Sequence, residues 1–364
     1  MKRKYQVLDL FSGCGGISVG FQRAGFKIHS AIDFDADSIS TFNTNFPSSN
    51  GIVEDLASYT KVKIRRSFDS SKNKIDVVVG GPPCQGFSNA NRWQTEIRDP
   101  RNKLFFEYLR FIEVLQPKVL LVENVPGIFS RGRGYTVHRI HELISDLGYT
   151  VSSSILNAAE FGVPQNRRRA FIIGIREDLS HEPFDFTSLK RQSPVNVGEA
   201  IKDLYNLENK PGSRHRLNVQ EFSPSSDYSK FVKSSRKFIE NHEVVYPAES
   251  TQIKISYVPQ GGNWMDIPEK LFSSNRKNRH SSAFKRLNEK EPSVTIDTGN
   301  AHSNYFHPKF NRIPTVREAA RIQSFPDNFI FVGSRTSQYR QVGNAVPPLL
   351  AFRIAKQILR LLDK

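Results

Sequence analysis

Short apolar runs and helical spacings alternate along the first half of the chain. Six runs rich in β-branched or aliphatic residues, "YQVLDLF", "FKIHSAID", "KIDVVVG", "KVLLVEN", "YTVSSSIL" and "RAFIIGI", predict strands between residues 5 and 176. Between them, residues 17–23, 38–46, 103–115 and 137–147 repeat apolar side chains every three or four positions and predict helices. Strands alternating with helices build βαβ units. The expected fold class is therefore α/β, a doubly wound, mostly parallel sheet with helices on both faces. After Glu177 the alternation fails. Residues from about 183 to 312 are rich in Ser, Asn, Lys and Arg and are interrupted by "SPSSDYS" and "QGGNW". They predict a second, smaller, irregular domain. Regularity returns in "TVREAARIQSF", a predicted helix, and in the apolar-spaced stretch 346–362. The boundaries expected are a first domain over 1–185, a second over 186–311, a connecting helical region over 312–340, and a return to the first domain over 341–364.

Charge changes this picture more than length does. With 52 Lys and Arg against 36 Asp and Glu, the formal charge is +16, the balance of a protein that meets a polyanion. Cys14 and Cys84 are too few for a disulfide framework, so both are expected as free thiols in a reducing compartment. No early segment has the make-up of a signal peptide, and no apolar run is long enough to span a bilayer. A cytoplasmic protein without a membrane partner is expected.

The candidate chemistry gathers at strand ends. In "DLFSGCGGIS" the first strand turns into the first helix, and Gly13, Gly15 and Gly16 permit positive φ and close approach of a ligand to backbone. Asp33 ends the second strand 20 residues after Gly13, where nucleotide-binding sheets carry a ribose-hydroxyl acceptor. Glycine turns also serve ordinary packing, and the full GxGxxG pattern and a P-loop lysine are both lacking. A cofactor with a ribose and no phosphate suits the turn better than a dinucleotide. "EDL" follows Ile52-Val53, "GGPPC" follows Val79, and "EN" follows Val122. The carboxyl ends of strands in an open α/β sheet share one rim, so Phe11, Asp33, Asp55, Cys84 and Glu123 should converge there. In "PQNRRRAF", Arg167 and Arg169 alternate at the start of a predicted strand and are expected to face one side. His138 and His141 have helical spacing without further ligands nearby in sequence, and they read as an exposed face rather than a metal site.

"DLFSGCGG", "GGPPCQGFS", "ENVPG", "QNRRR", "REAARIQSFP" and "QVGNAVPP" occur in that order. Together they resemble the bacterial-type DNA (cytosine-5)-methyltransferases of restriction-modification systems, across nearly the whole chain except the middle of the second domain. The resemblance implies an S-adenosylmethionine-dependent methyltransferase sheet with a target-recognition domain. It implies transfer of a methyl group to carbon 5 of a flipped-out cytosine in a specific short duplex DNA sequence, protecting that DNA from a cognate restriction endonuclease. By position it makes Cys84 the nucleophile that adds to carbon 6 and Glu123 the partner of the ring's N3 edge, with Arg167 and Arg169 holding the base and the site. A thiolate suits this role because its addition breaks the ring's aromaticity and makes carbon 5 nucleophilic.

The same resemblance places S-adenosyl-L-methionine on the turn of Phe11, Ser12, Gly13, Cys14, Gly15 and Gly16. Asp33 would take the ribose hydroxyls, Phe34 would stack on the adenine where many relatives carry tryptophan, and Asp55 with Leu56 would flank it. Pro82, Leu104, Asn344, Ala345 and Val346 complete that implied pocket. Double-stranded DNA would be met by the loop that Gln85, Gly86, Phe87 and Ser88 open and that carries Arg92. The variable region, 260–307, would supply Arg279 for phosphate and Asn300, His302 and Asn304 for base edges. A monomer, nucleoid-associated through its DNA, is expected. Three alternatives stand beside this reading: a related enzyme acting on RNA, disfavoured because "CFT" is absent; a nicotinamide dehydrogenase; and a DNA-binding regulator with a dead site.

Overall fold

The computed structural model describes residues 4–69, 74–83, 103–130, 134–207, 217–218, 226–233, 238–272, 284–296 and 305–364. One seven-stranded sheet organises the first of two units. Its strands are β1 (Gln6–Leu10), β2 (Lys27–Asp33), β3 (Asn50–Val53), β4 (Val77–Gly80), β5 (Val119–Asn124), β6 (Tyr149–Asn157) and β7 (Arg168–Arg176). They lie in the order β3-β2-β1-β4-β5-β7-β6. Strands β1 to β5 run parallel to their neighbours, whereas β7 is antiparallel to both β5 and β6. All six predicted runs form strands. The seventh, β3, is short and half-exposed, and only Ile52-Val53 mark it in the sequence.

Helices α1 (Gly16–Ala24), α2 (Ala36–Asn45), α3 (Lys61–Phe68), α4 (Lys103–Leu115) and α5 (Tyr135–Ser145) connect the strands. Period-two alternation decides which side chain goes where. Leu8, Leu10, Val78, Leu120 and Val122 face one side and form a core with Ile64 and Phe68 of α3, Phe105, Phe111 and Ile112 of α4, and Ile140 and Ile144 of α5. Asp9 turns to the other side, where α1 lies over it. Within the same core the Tyr108 hydroxyl bridges the carbonyls of Val78 and Leu121, at 3.2 and 3.1 Å, pinning α4 beneath β4 and β5. On α5, His138 is exposed beside Glu142, but His141 is half-buried and its Nε2 lies 2.9 Å from Ser153 Oγ. The two histidines therefore do not share one exposed face.

The chain order sets where a ligand can enter. From β1 the strands proceed to β2 and β3 on one side and to β4 and β5 on the other, so the winding direction reverses between β1 and β4. A crevice opens at the carboxyl ends of two strands joined in this way. The turn after β1 and the segment after β4 are the Gly-rich turn and the Gly-Pro-Pro stretch.

Met1–Asn157, Arg168–Lys190 and Leu350–Lys364 belong to this unit, and Ala158–Arg167 with Arg191–Leu349 form a second. Residues 158–167, expected in the first domain, group with the second because of their hydrogen bonds. Asn166 N–H donates to Ser293 O at 2.8 Å, Ile296 N–H donates to Gln165 Oε1 at 3.0 Å, and the Gln165 amide bonds that of Gln323. The second unit is built around buried charge. Helix α6 (Val316–Ile322) is buried on every side. Arg312 holds Glu318 with two bonds of 2.7 and 2.9 Å, and Arg321 holds Asp327 in the same way. Burial pushes the Glu318 carboxyl up, but the charges of Arg312 and His307 and their hydrogen bonds hold it well below the usual carboxylate range. Helix α7 (Arg335–Asn344) follows. The chain then enters α8 (Pro348–Leu362), which returns to the first unit. There an ideal Cβ on Gly20 would lie 2.5 Å from the Ala351 Cβ, so α1 and α8 cross at a point where only glycine fits.

Candidate active site

The Gly-rich turn is folded by left-handed backbone. Phe11, Gly13 and Gly15 have φ of 56°, 51° and 96°, so the chain reverses within five residues between β1 and α1. Gly15 is doubly constrained, because a Cβ there would also meet Phe42 and Phe46 at 2.9 Å. Gly13 is different: an ideal Cβ would have nothing within 4 Å, so its backbone borders open space. Asp33 braces the turn from the end of β2. Its Oδ2 accepts from Gly13 N–H at 2.8 Å and its Oδ1 from Asp35 N–H at 2.9 Å. Burial raises its pKa, and these amides act in the opposite direction. Ser12 N–H donates to Ile32 O, and Glu54 N–H to Asp33 O, which ties the ends of β1, β2 and β3 into one rim.

The residues predicted for the cofactor differ in what they can present. Phe34 is 77% exposed, an unusual position for a phenylalanine. Asp55 is exposed and caps a short 3-10 turn through Ala57 N–H at 2.9 Å. Leu56 is buried in the core and presents little surface. Leu104 is half-buried and Pro82 is buried. In the second unit, Asn344 is exposed, Ala345 is half-buried with its carbonyl accepting from Gln323 Nε2 at 2.6 Å, and Val346 is buried. Cys14 is buried beneath the turn. Burial pushes its thiol far above the ordinary cysteine range, and the nearby Asp33 and Asp9 charges add to the effect.

The acid of the rim is Glu123, the penultimate residue of β5. It lies opposite Phe171 in register and diagonal to Arg169 on β7. Arg169 Nε stands 3.1 Å from Glu123 Oε1, with both side chains largely buried. Burial lowers the Arg169 pKa, and the Glu123 charge offsets part of that loss. Across from the carboxyl group lies Gly81, where an ideal Cβ would be 3.2 Å from Glu123 Oε2. A side chain at 81 would crowd the acid. The neighbouring Asn124 Nδ2 donates to Pro82 O at 2.8 Å and so fastens the Gly-Pro-Pro segment to the strand that carries the acid. Asn124 was legible only as the second letter of "EN"; its role comes from its bond.

Cys84, Gln85, Gly86, Phe87, Ser88, Arg92, Arg279, Asn300, His302 and Asn304 lie outside the described residues. Arg167 corrects an expectation. Strand β7 begins at Arg168, so Arg167 precedes the ladder and the alternation rule does not extend to it. Its guanidinium is buried in the second unit, donating to Ile296 O at 3.0 Å and Gly343 O at 2.7 Å. It fixes the approach to residues 344–346, and Arg169 alone of the pair meets Glu123.

One further acid was not singled out by the sequence. Asp9 is fully buried on β1, its Oδ2 accepting from Ser18 Oγ at 2.6 Å, while its Oδ1 has no hydrogen-bond partner among the described residues. Burial pushes its pKa up to about 7, against the lowering effect of the Ser18 bond. An unfolded aspartate ionises near about 4, so the unfolded chain releases this proton first as pH rises. Stability is therefore lost between about pH 4 and 7, and the loss levels off above that. Asp9→Asn keeps the uncharged form at every pH. Urea unfolding at pH 5 and pH 8 is expected to show the variant gaining a few kcal/mol on the parent protein at the higher pH. Parallel profiles would show that Asp9 does not titrate in this range.

A family model for C-5 cytosine-specific DNA methylases matches residues 5–360. The chain is 39% identical to the type II methyltransferase M1.HphI of Haemophilus parahaemolyticus, over 97% of this chain and 86% of that protein. It is 35% identical to M.DdeI of Desulfomicrobium norvegicum, over 97% and 88%. Among solved structures, a putative DNA modification methyltransferase encoded within an Escherichia coli prophage matches with a TM-score of 0.79 and 27% identity, covering 99% of this chain and all of that one.

Proposed function

The chain belongs to the C-5 cytosine-specific DNA methylase family, and from that premise we propose how its own residues carry out the reaction and what the reaction serves. As a member it is a DNA (cytosine-5)-methyltransferase that uses S-adenosylmethionine. The turn fits that cofactor in three respects. Backbone at Gly13 borders open space, the Asp33 oxygens have lone pairs beyond the two amides, and Phe34 offers an exposed ring. Phe11 to Gly16, Asp33, Phe34 and Asp55 would hold it, with Pro82 and Leu104 beside them. When bound, it supplies an electrophilic methyl group.

The chain supplies the rest. A cytosine inside a duplex must be flipped out, at a cost of a few kcal/mol, before a thiol can reach carbon 6. Cys84 attacks as thiolate, forming an Sγ–C6 bond, while Glu123 hydrogen-bonds N3 and gives it a proton as the ring's aromaticity is lost. Carbon 5 becomes the nucleophilic end of an enamine and takes up the methyl group. A base then removes the proton at carbon 5, the Sγ–C6 bond breaks, and N3 returns its proton. Arg169 orients the Glu123 carboxyl group and brings positive charge to the electron-rich ring.

The observation that carries this reading is the Glu123 carboxyl group standing beside Gly81, three residues from Cys84, with Asn124 tying Pro82 to the same strand. The type II names of the relatives support a role in protecting DNA from a partner endonuclease, and an RNA substrate is not favoured. The test is expression in a host without cytosine methylation, followed by conversion sequencing of its DNA. Protected cytosines within one short recurring sequence are expected. Unprotected cytosines throughout, or methylation confined to RNA, would refute the reading.

A further inference from the structure

The last helix carries a feature that the catalytic rim does not use. Helix α8 reads "PLLAFRIAKQILRLL", with three cations and no acid. Leu349, Leu350, Ile354, Ala355 and Ile358 are buried and fix its inner face. Arg353, Lys356 and Arg360, spaced by three and four, share the opposite face. Together with Lys190, Ser188 and Gln357 they line a hollow of about 130 Å³ that has no carboxylate in its lining. We propose that this face is a second contact for duplex DNA, gripping the phosphate backbone without reading sequence.

Charge and size both point to a polymeric phosphate. Like charges gathered around one hollow repel each other, and among the described residues no ion pair relieves Lys190, Lys356 or Arg360. Two of the cations lie over an aromatic ring: Arg353 Cζ and Lys356 Nζ are 5.8 and 5.9 Å from the Phe352 centroid. The hollow is far below the roughly 300–1,000 Å³ of a small-molecule pocket, so it suits one phosphate of an extended chain better than a free ligand. A lipid surface is disfavoured because the helix has already buried its apolar face and has none left to insert. Duplex DNA is the polyanion that this chain handles. The proposal rests on DNA being the substrate and on nothing in the covalent mechanism.

The test uses the full chain with the double substitution Lys356→Gln/Arg360→Gln. Both side chains are exposed, so the fold should tolerate the change. Binding to duplexes of increasing length that lack the methylated sequence is measured by fluorescence anisotropy between 50 and 200 mM salt. Methyl transfer to the shortest duplex that serves as substrate is measured in parallel. Losing two phosphate contacts should make the slope of log K against log salt shallower by about 2 on long duplexes. Transfer to the shortest duplex should be unchanged. An unchanged slope at every length would overturn the proposal, as would an unchanged slope with loss of polyglutamate binding, which would assign the face to an acidic protein. Loss of transfer on the shortest duplex would also overturn it, because the face would then belong to the target site. A parent protein that made no 5-methylcytosine would count against the catalytic reading alone.

Discussion

Cys84→Ser is expected to abolish methyl transfer and to leave S-adenosylmethionine binding intact. The proposed reaction needs a thiolate at position 84, and a serine hydroxyl is almost wholly protonated near neutral pH and far less nucleophilic. No other residue can stand in. The chain has only one other cysteine, Cys14, and burial keeps that thiol protonated beneath the Gly-rich turn. Apart from Pro82, which follows the same strand, the residues assigned to the cofactor lie elsewhere in the chain, and serine keeps nearly the size of cysteine, so cofactor affinity, measured by equilibrium dialysis, should match that of the parent protein. Turnover retained by the variant would remove Cys84 from the mechanism.

Glu123→Gln should follow closely in size. The amide keeps the volume of the side chain and can still bond Arg169, but it has no proton to give N3. Loss of a positioned general acid typically costs 10²- to 10⁴-fold in rate. The expected result is a fall of about that size in single-turnover rate, with an unchanged thermal midpoint and little change in DNA affinity. A small rate effect with a lowered midpoint would make the Glu123–Arg169 pair a structural contact.

Much of the first unit was legible because its central strands are buried on both faces and therefore read as continuous apolar runs. "VVVG" and "VLLV" allow little else. Helix α3, "KVKIRRSF", was missed because its two buried anchors, Ile64 and Phe68, sit among four cations. The positions of Asp33, Asp55 and Glu123 at or just past carboxyl ends of parallel strands followed from the alternation of strands and helices. Arg167 did not follow, because a period of two holds only inside the ladder and β7 starts one residue later. The second unit was the least legible. Its interior is pinned by Arg312, Arg317 and Arg321, all fully buried, and sequence patterning assigns such residues to the surface. Arg317, for example, is held by the carbonyls of Glu240, Pro326 and Phe329, partners distributed over 90 residues of chain. Asp9 was hidden for the same reason, as a polar letter in an apolar strand whose environment only the packing of α1 reveals.

The proposed reaction passes through a covalent bond between this chain and its substrate, and trapping measures that bond directly. Duplex DNA carrying 5-fluorocytosine at the mapped target has no proton at carbon 5 to lose, so after methyl transfer the Sγ–C6 bond cannot break. Incubation with the protein and S-adenosylmethionine should give a complex that survives denaturing electrophoresis, and peptide mass spectrometry should find the DNA adduct on Cys84. Absence of an adduct under conditions where ordinary DNA is methylated, or an adduct on any other residue, would contradict the account.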